Sequence, residues 1–247
     1  MRTEPLVKAG VSLLACFPGR DGVGVRLSEQ TWPTLISKVR LGRDEYRLVR
    51  PARALRHAML YEGRLGAELS VDKRAAVVLA MAWGLAARSP HSLIYLPLRT
   101  ARPADSANQE RLLDLVLLHH RLAFPVSRWK QVRALLGAGA PHGVRLPPQA
   151  FRRRPHADQR RWTHQGFRDH LRWDIAADTL FLIGSREAYE LEAAAVRALA
   201  EDCPGHLAKS PDAHCCAEIS LGRRRMGYPD RRRPWAELHI EYCQHHR

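Results

Sequence analysis

Two arginine triplets, Arg223 to Arg225 and Arg231 to Arg233, are separated only by Met226, Gly227, Tyr228, Pro229 and Asp230. Six guanidinium groups this close repel one another and bury no apolar surface, so stability does not explain them. A planar guanidinium fork suits phosphate and its face stacks on bases, so a polyanion that neutralises the cluster does explain them. A second stretch, Phe151 to Trp173, interleaves Arg152, Arg153, Arg154, Arg160, Arg161, Arg168 and Arg172 with Phe151, Trp162, Phe167 and Trp173. Cations for phosphates and aromatic faces for unpaired bases are what a single strand or a hairpin base requires. A helix with a solvated arginine face and aromatics in the core accounts for the same residues.

Other candidates carry less. Gly184-Ser185-Arg186, at a strand-to-helix junction, has the form of a phosphate site on a helix N-terminus, and Ser185 is equally accounted for as an N-cap. Cys203, His206, His214, Cys215, Cys216, Cys243, His245 and His246 crowd the C-terminal region, where Cys203-x-x-His206 and Cys243-x-His245 could each give zinc two ligands. Adjacent Cys215 and Cys216 point to opposite faces of a strand, and tandem Cys-x-x-Cys spacing is absent. No metal or other cofactor is expected. Gly19, Gly22 and Gly24 form a turn but do not match a dinucleotide fingerprint.

The chain has 247 residues, 45% hydrophobic, with a formal charge of +15. That is enough apolar content for a core, and the charge favours an anionic partner without fixing a fold. Arginine-rich codon usage would raise the total but would not cluster it. No run of about eighteen uncharged apolar residues exists, so a membrane span is not expected. Leu13-Leu14-Ala15 before Cys16 resembles a lipoprotein box, but its apolar stretch is short and Glu4 stands where a basic leader belongs. Five irregularly spaced cysteines and no export signal lead to an expectation of reduced thiols and a cytoplasmic location.

The elements that would position these residues follow from periodicity. A strand is expected at Val11 to Phe17, a helix from Thr31 and Pro33 to Arg40, and a short strand at Tyr46 to Val49. Ser70 caps a helix over Val71 to Arg88, and a strand follows at His91 to Leu96. In the middle, Ser106 and Gln109 form a capping box for a helix through Leu112, Leu115, Val116, Leu118 and Leu122, in which at least one of His119 and His120 packs. Ser127 caps a second helix, Arg128 to Leu136. This pair has the outline of a DNA-reading unit, with Arg128, Lys130, Gln131 and Arg133 on its second helix. Gly137 to Pro148 reads as a linker or an exposed loop. Beyond it come a strand at Thr179 to Ile183, a helix from Arg186 to Ala200, and a strand at Ala213 to Leu221. On the arms of the arginine cluster, Ala217, Ile219 and Leu221 alternate with polar residues, as do Ala236, Leu238 and Ile240, so both arms are half-buried strands. The expected fold is α+β, with two ferredoxin-like (RRM-like) halves at 1–100 and 176–247 and a helical, arginine-rich insert at 101–175.

Strand, helix, strand, then Leu221-Gly222-Arg223-Arg224-Arg225-Met226-Gly227-Tyr228, resembles the glycine-rich basic C-terminal loop of the CRISPR repeat-processing endoribonucleases of the RAMP superfamily. The helical insert and arginine-heavy surface are most similar to the repeat-processing protein of type IV systems. The resemblance implies binding of a repeat RNA hairpin and its cleavage without metal. The ribose 2′-hydroxyl attacks the neighbouring phosphate, the mature guide RNA stays bound, and other subunits of a ribonucleoprotein complex are possible partners. Such a reaction needs proton transfer and cations around the phosphorane. On this reading His57 transfers protons, Arg20 and Arg26 stabilise charge, and RNA is bound by Arg152, Arg153, Arg154, Arg160, Arg161, Arg168, Gly222, Arg223, Arg224, Arg225, Gly227, Tyr228, Arg231, Arg232 and Arg233. The alternative is a non-catalytic DNA-binding protein of a plasmid or mobile element, using the Ser106 to Gly137 helices and inserting the Arg223 to Arg233 arm into a groove.

Overall fold

A computed structural model describes residues 25–63, 66–99, 111–151, 169–222 and 237–243. Hydrophobic runs buried on both faces build the centre of the molecule. Strand β5 (Ser92–Leu96) is buried throughout, and so is β6 (Leu112–His119) from Leu113 onward. A strand covered on both sides reads as an unbroken apolar run, which periodicity alone cannot tell from a buried helix. That is why Leu112 to His119, expected to be helical, forms a strand instead, with a short 3-10 turn at His120 to Leu122.

The remaining elements are β1 (Trp32–Leu41), β2 (Asp44–Pro51), β3 (Ala58–Glu62), β4 (Gly66–Val71), α1 (Lys73–Ala86), α2 (Trp129–Ala134), β7 (Ala140–Val144), β8 (Arg172–Ile175), β9 (Thr179–Gly184), α3 (Arg186–Glu201), α4 (Cys203–Lys209), β10 (Cys216–Ser220) and β11 (Glu237–Tyr242). The strands join in the order β10-β11-β4-β3-β6-β5-β2-β1-β7, with β9 beside β6 and β8 on β9. Residues Leu112 and Leu113 of β6 pair with β3, and Asp114 to His119 pair in parallel with β9. The fold is α+β with a core made mostly of sheet.

Alternation assigns the two faces. Ile94, Leu96, Leu115, Leu117, Leu180 and Leu182 point to one side, into a core shared with α1 and α3. Asp72 caps α1, its carboxylate accepting from the Ala75 amide at 2.7 Å. Trp83 of α1 donates from Nε1 to the Tyr189 carbonyl at 2.8 Å, and the two rings meet edge to face. The buried Tyr189 hydroxyl donates to the Leu182 carbonyl at 2.6 Å and accepts from the Leu118 amide at 3.0 Å. It thereby ties α3 to both β6 and β9. On the opposite face Leu48, Leu93, Tyr95, Val116, Leu118 and Phe181 pack beneath Phe124, Trp129 and Val132. Each large side chain so buried contributes about 1.5–3 kcal/mol.

Several expected elements differ. Thr31 to Arg40 is not a helix: β1 lies between β2 and β7, with Pro33 near its start, where a missing amide costs little. Among the described residues four strands, β1 to β4, precede α1, where a helix and one short strand were expected. The linker at 137–148 contains β7. The supposed helical insert at 101–175 contributes β6, β7 and β8, and α2 is its only α-helix among the described residues. Helix α1 begins two residues later than expected, because Val71 closes β4. Cys203 and Cys215, both buried, form a disulfide, so the expectation of reduced thiols fails for this pair; Cys216 and Cys243 are free. No helix among the described residues is long and apolar enough to cross a membrane. The strand expected at Val11 to Phe17 lies outside the described residues.

Candidate nucleic-acid interface

The arms of the arginine cluster are the antiparallel pair β10 and β11, in register from Cys216 opposite Glu241 to Ser220 opposite Glu237. Ala217, Ile219, Leu238 and Ile240 are buried, as the alternation requires, and β11 pairs in parallel with β4. The connection between the arms starts at Leu221, which is buried, and at Gly222, whose φ of +82° favours glycine. The Gly222 amide donates to the Leu171 carbonyl at 2.7 Å. Where the connection returns, Gly66 faces Glu237, and a Cβ on Gly66 would run into the Glu237 carbonyl.

The second arginine-rich stretch has its roots nearby. It departs after Phe151, which packs against the main core and whose carbonyl accepts from Arg197 Nη1 at 2.9 Å. It returns at Asp169, which accepts from the Ser185 hydroxyl at 2.5 Å, and then at Leu171, which is buried. The Leu171 to Gly222 hydrogen bond thus lies three residues after Arg168 and one residue before Arg223. Residues 152–168 and 223–236 each carry six arginines and one aspartate, so together they supply +10 of the chain's +15. Arg152, Arg153, Arg154, Arg160, Arg161, Arg168, Arg223, Arg224, Arg225, Gly227, Tyr228, Arg231, Arg232 and Arg233 lie outside the described residues. Of the interleaved aromatics, Phe151 and Trp173 pack against the core.

The outward face of the hairpin has the opposite character. Glu218, Glu237 and Glu241 alternate with the inward residues, and Glu68 of β4 is in register with His239. The carboxylates on this face repel a polyanion.

The proposed proton-transfer group lies apart from that end. His57 is in the turn before β3, and its carbonyl accepts from the Asp72 amide at 3.0 Å, at the far end of β4. Gly66 to Asp72 spans about 20 Å of strand, so His57 and the arginine connection sit at opposite ends of β4. Arg26 is exposed just before a short 3-10 turn and pairs with Glu29 at 3.4 Å. Arg20 lies outside the described residues.

The other sequence candidates are occupied or regrouped. Ser185 caps α3 by accepting from the Ala188 amide at 3.1 Å while donating to Asp169. A carboxylate thus stands where an anion was considered. On α2, Trp129 and Val132 are core, Arg128 pairs with Asp44 at 2.6 Å, and Arg133 Nη1 donates to the Ala177 carbonyl at 2.9 Å. With β6 in place of its first helix, the DNA-reading pair does not form.

One polar network escaped the sequence reading, whereas the burial of His119 agrees with the expectation that one of His119 and His120 packs. Asp114, buried, accepts from Tyr95 Oη at 3.1 Å and from the Leu98 and Arg99 amides at 2.9 and 3.0 Å, and lies 3.3 Å from both Arg99 and Arg133. Asp178, paired with Arg99 and Arg111 at 2.9 and 3.0 Å, extends the network, and the Arg111 hydrogen bond holds its carboxyl below the usual range. These charges fasten the ends of β5, β6 and β9 to one another. His119, buried at the end of β6, has its pKa lowered chiefly by burial and next by His120. Its Nδ1 accepts from the Arg121 amide at 3.2 Å, which leaves the proton of the neutral ring on Nε2. An isolated aspartate in an apolar run was the available signal for Asp114; nothing local marked its partners.

Comparison of the chain with protein-family models, with curated proteins and with solved structures found no match.

Proposed function

We propose that the protein binds RNA where its two arginine-rich segments meet, and that it cleaves a repeat hairpin without metal. The observation that carries the binding reading is the Leu171 to Gly222 hydrogen bond, which joins one end of each segment, the two segments together holding +10 of the chain's +15. Focused positive charge raises the local concentration of a polyanion and its association rate. Arginine with interleaved aromatics favours unpaired or hairpin RNA over duplex DNA, and the loss of the helix pair removes the support for reading a major groove.

The cleavage reading rests on the resemblance of Leu221 to Tyr228 to the RAMP repeat-processing loop. In this scheme the ribose 2′-oxygen attacks the adjacent phosphorus and the 5′-oxygen leaves, giving a cyclic phosphate and a 5′-hydroxyl. His57 transfers a proton, and Arg20 and Arg26 stabilise the phosphorane. A substrate engaging both His57 and the arginine connection spans the length of β4. The cleaved guide RNA stays bound and recruits further subunits.

Labelled RNA hairpins and duplex DNA, incubated with the protein in EDTA and again with divalent ions, test the proposal. Site-specific RNA cuts at equal rates in both buffers are expected. Retention of duplex DNA without cutting would favour a DNA-binding protein. Wild-type cleavage by both His57→Ala and Arg26→Ala would overturn the assignment of those residues.

A further inference from the structure

The outward face of the β10–β11 hairpin brings together side chains from its two arms. His214 lies two residues before Cys216, the first residue of β10, and His239 lies on β11, diagonal to Cys216. One ligating atom from each lies within 4.8 Å of the others. Cys216 is a free thiol, and the two imidazole rings are parallel, 7° apart in plane with centroids 5.8 Å apart. Glu241 is directly opposite Cys216, with Oε1 3.6 Å from His214 Nδ1, and Glu218 is directly opposite His239.

We propose that His214, Cys216 and His239 bind a zinc ion. One thiolate and two imidazoles suit zinc among the abundant divalent metals. Bonds of about 2.0 and 2.3 Å in a tetrahedron place ligand atoms about 3.5 Å apart, so side-chain rotations moving these atoms by about 1 Å close the site. Glu241, whose Oε1 lies 3.6 Å from His214 Nδ1, is placed to supply the fourth ligand that a structural zinc takes. Glu218, Glu241 and Glu68 make this face acidic in a chain of strongly positive total charge, which favours a cation here and not at the arginine connection.

The fold explains why the ligand set differs from the pairs considered in the sequence. Cys203 and Cys215 turn inward and join to each other, leaving Cys216 to face outward. His239 reaches the site only through the β10–β11 register. Among the described residues β10 pairs with β11 alone, so a metal bridging the two strands pins an edge strand and the root of the arginine connection. The role is structural, and the inference does not depend on RNA cleavage.

Full-length protein without an affinity tag, stripped by chelator and handled anaerobically without thiol reductant, is titrated with cobalt(II) and then with zinc. We expect one equivalent of cobalt bound with a thiolate charge-transfer band and tetrahedral ligand-field bands, displaced by zinc, and a zinc-dependent rise in Tm. Cys216→Ser abolishes the charge-transfer band, and His214→Ala and His239→Ala each weaken binding at least tenfold, whereas Cys243→Ser leaves it unchanged. His214 is exposed, so its replacement reports on ligation and not on folding. No stoichiometric uptake by the wild type, or undiminished uptake by folded His214→Ala and Cys216→Ser proteins, overturns the proposal.

Discussion

Asp114 balances a buried polar network in which two arginines and a tyrosine converge on one carboxylate. Removing it leaves Arg99 without one of its two acidic partners and Arg133 without its carboxylate. Asp114→Ala is expected to cost about 1.5–3 kcal/mol in urea unfolding, since Arg99 keeps Asp178 and both arginines are partly exposed, whereas an exposed pair such as Lys38 with Glu45 is worth under about 1 kcal/mol. His119 works through protonation. Burial lowers its folded pKa below the unfolded value of about 6.5, so the unfolded state binds the proton more readily. Its contribution is intact above that value and is lost as pH falls from there towards the folded pKa. Unfolding midpoints measured between pH 7.5 and 5.5 should therefore fall more for the wild type than for His119→Gln.

At the level of elements, the arginine hairpin depends on how its ends are held. Gly222 has a backbone conformation that costs a residue with a Cβ about 1–2 kcal/mol, so Gly222→Ala should lower Tm by several degrees, measured by circular dichroism. The Cys203–Cys215 bridge closes a loop over a sequence separation of 12. A loop of that size contributes about 3 kcal/mol by restricting the unfolded chain, so Cys203→Ala/Cys215→Ala should unfold at correspondingly lower denaturant. The hairpin's arms, α3 with its Ser185 cap, β9 and β5 were legible because their alternation, caps and length agree with their surroundings. β1 and β6 were not. Their burial comes from partners distant in sequence, and Leu112 to Leu118 looks alike as a strand or a helix until α1, α3 and α2 cover its two faces. The hairpin was also the part of the candidate site that could be read locally, while the meeting of Leu171 with Gly222 depended on the fold.

On the scale of the whole molecule, charge is divided by region. Two segments of 17 and 14 residues (152–168 and 223–236) carry two thirds of the net positive charge, and the outer face of the adjoining hairpin is acidic. RNA affinity should then fall with salt by about 0.7 log unit per phosphate contact for each decade of concentration. The most direct test replaces Arg223, Arg224, Arg225, Arg231, Arg232 and Arg233 by glutamine and measures RNA hairpin binding across a salt series, with folding checked by circular dichroism. The account requires a large loss of affinity at low salt and a slope shallower by up to about 4, six contacts at about 0.7 each. A folded variant with unchanged affinity and unchanged slope would contradict it.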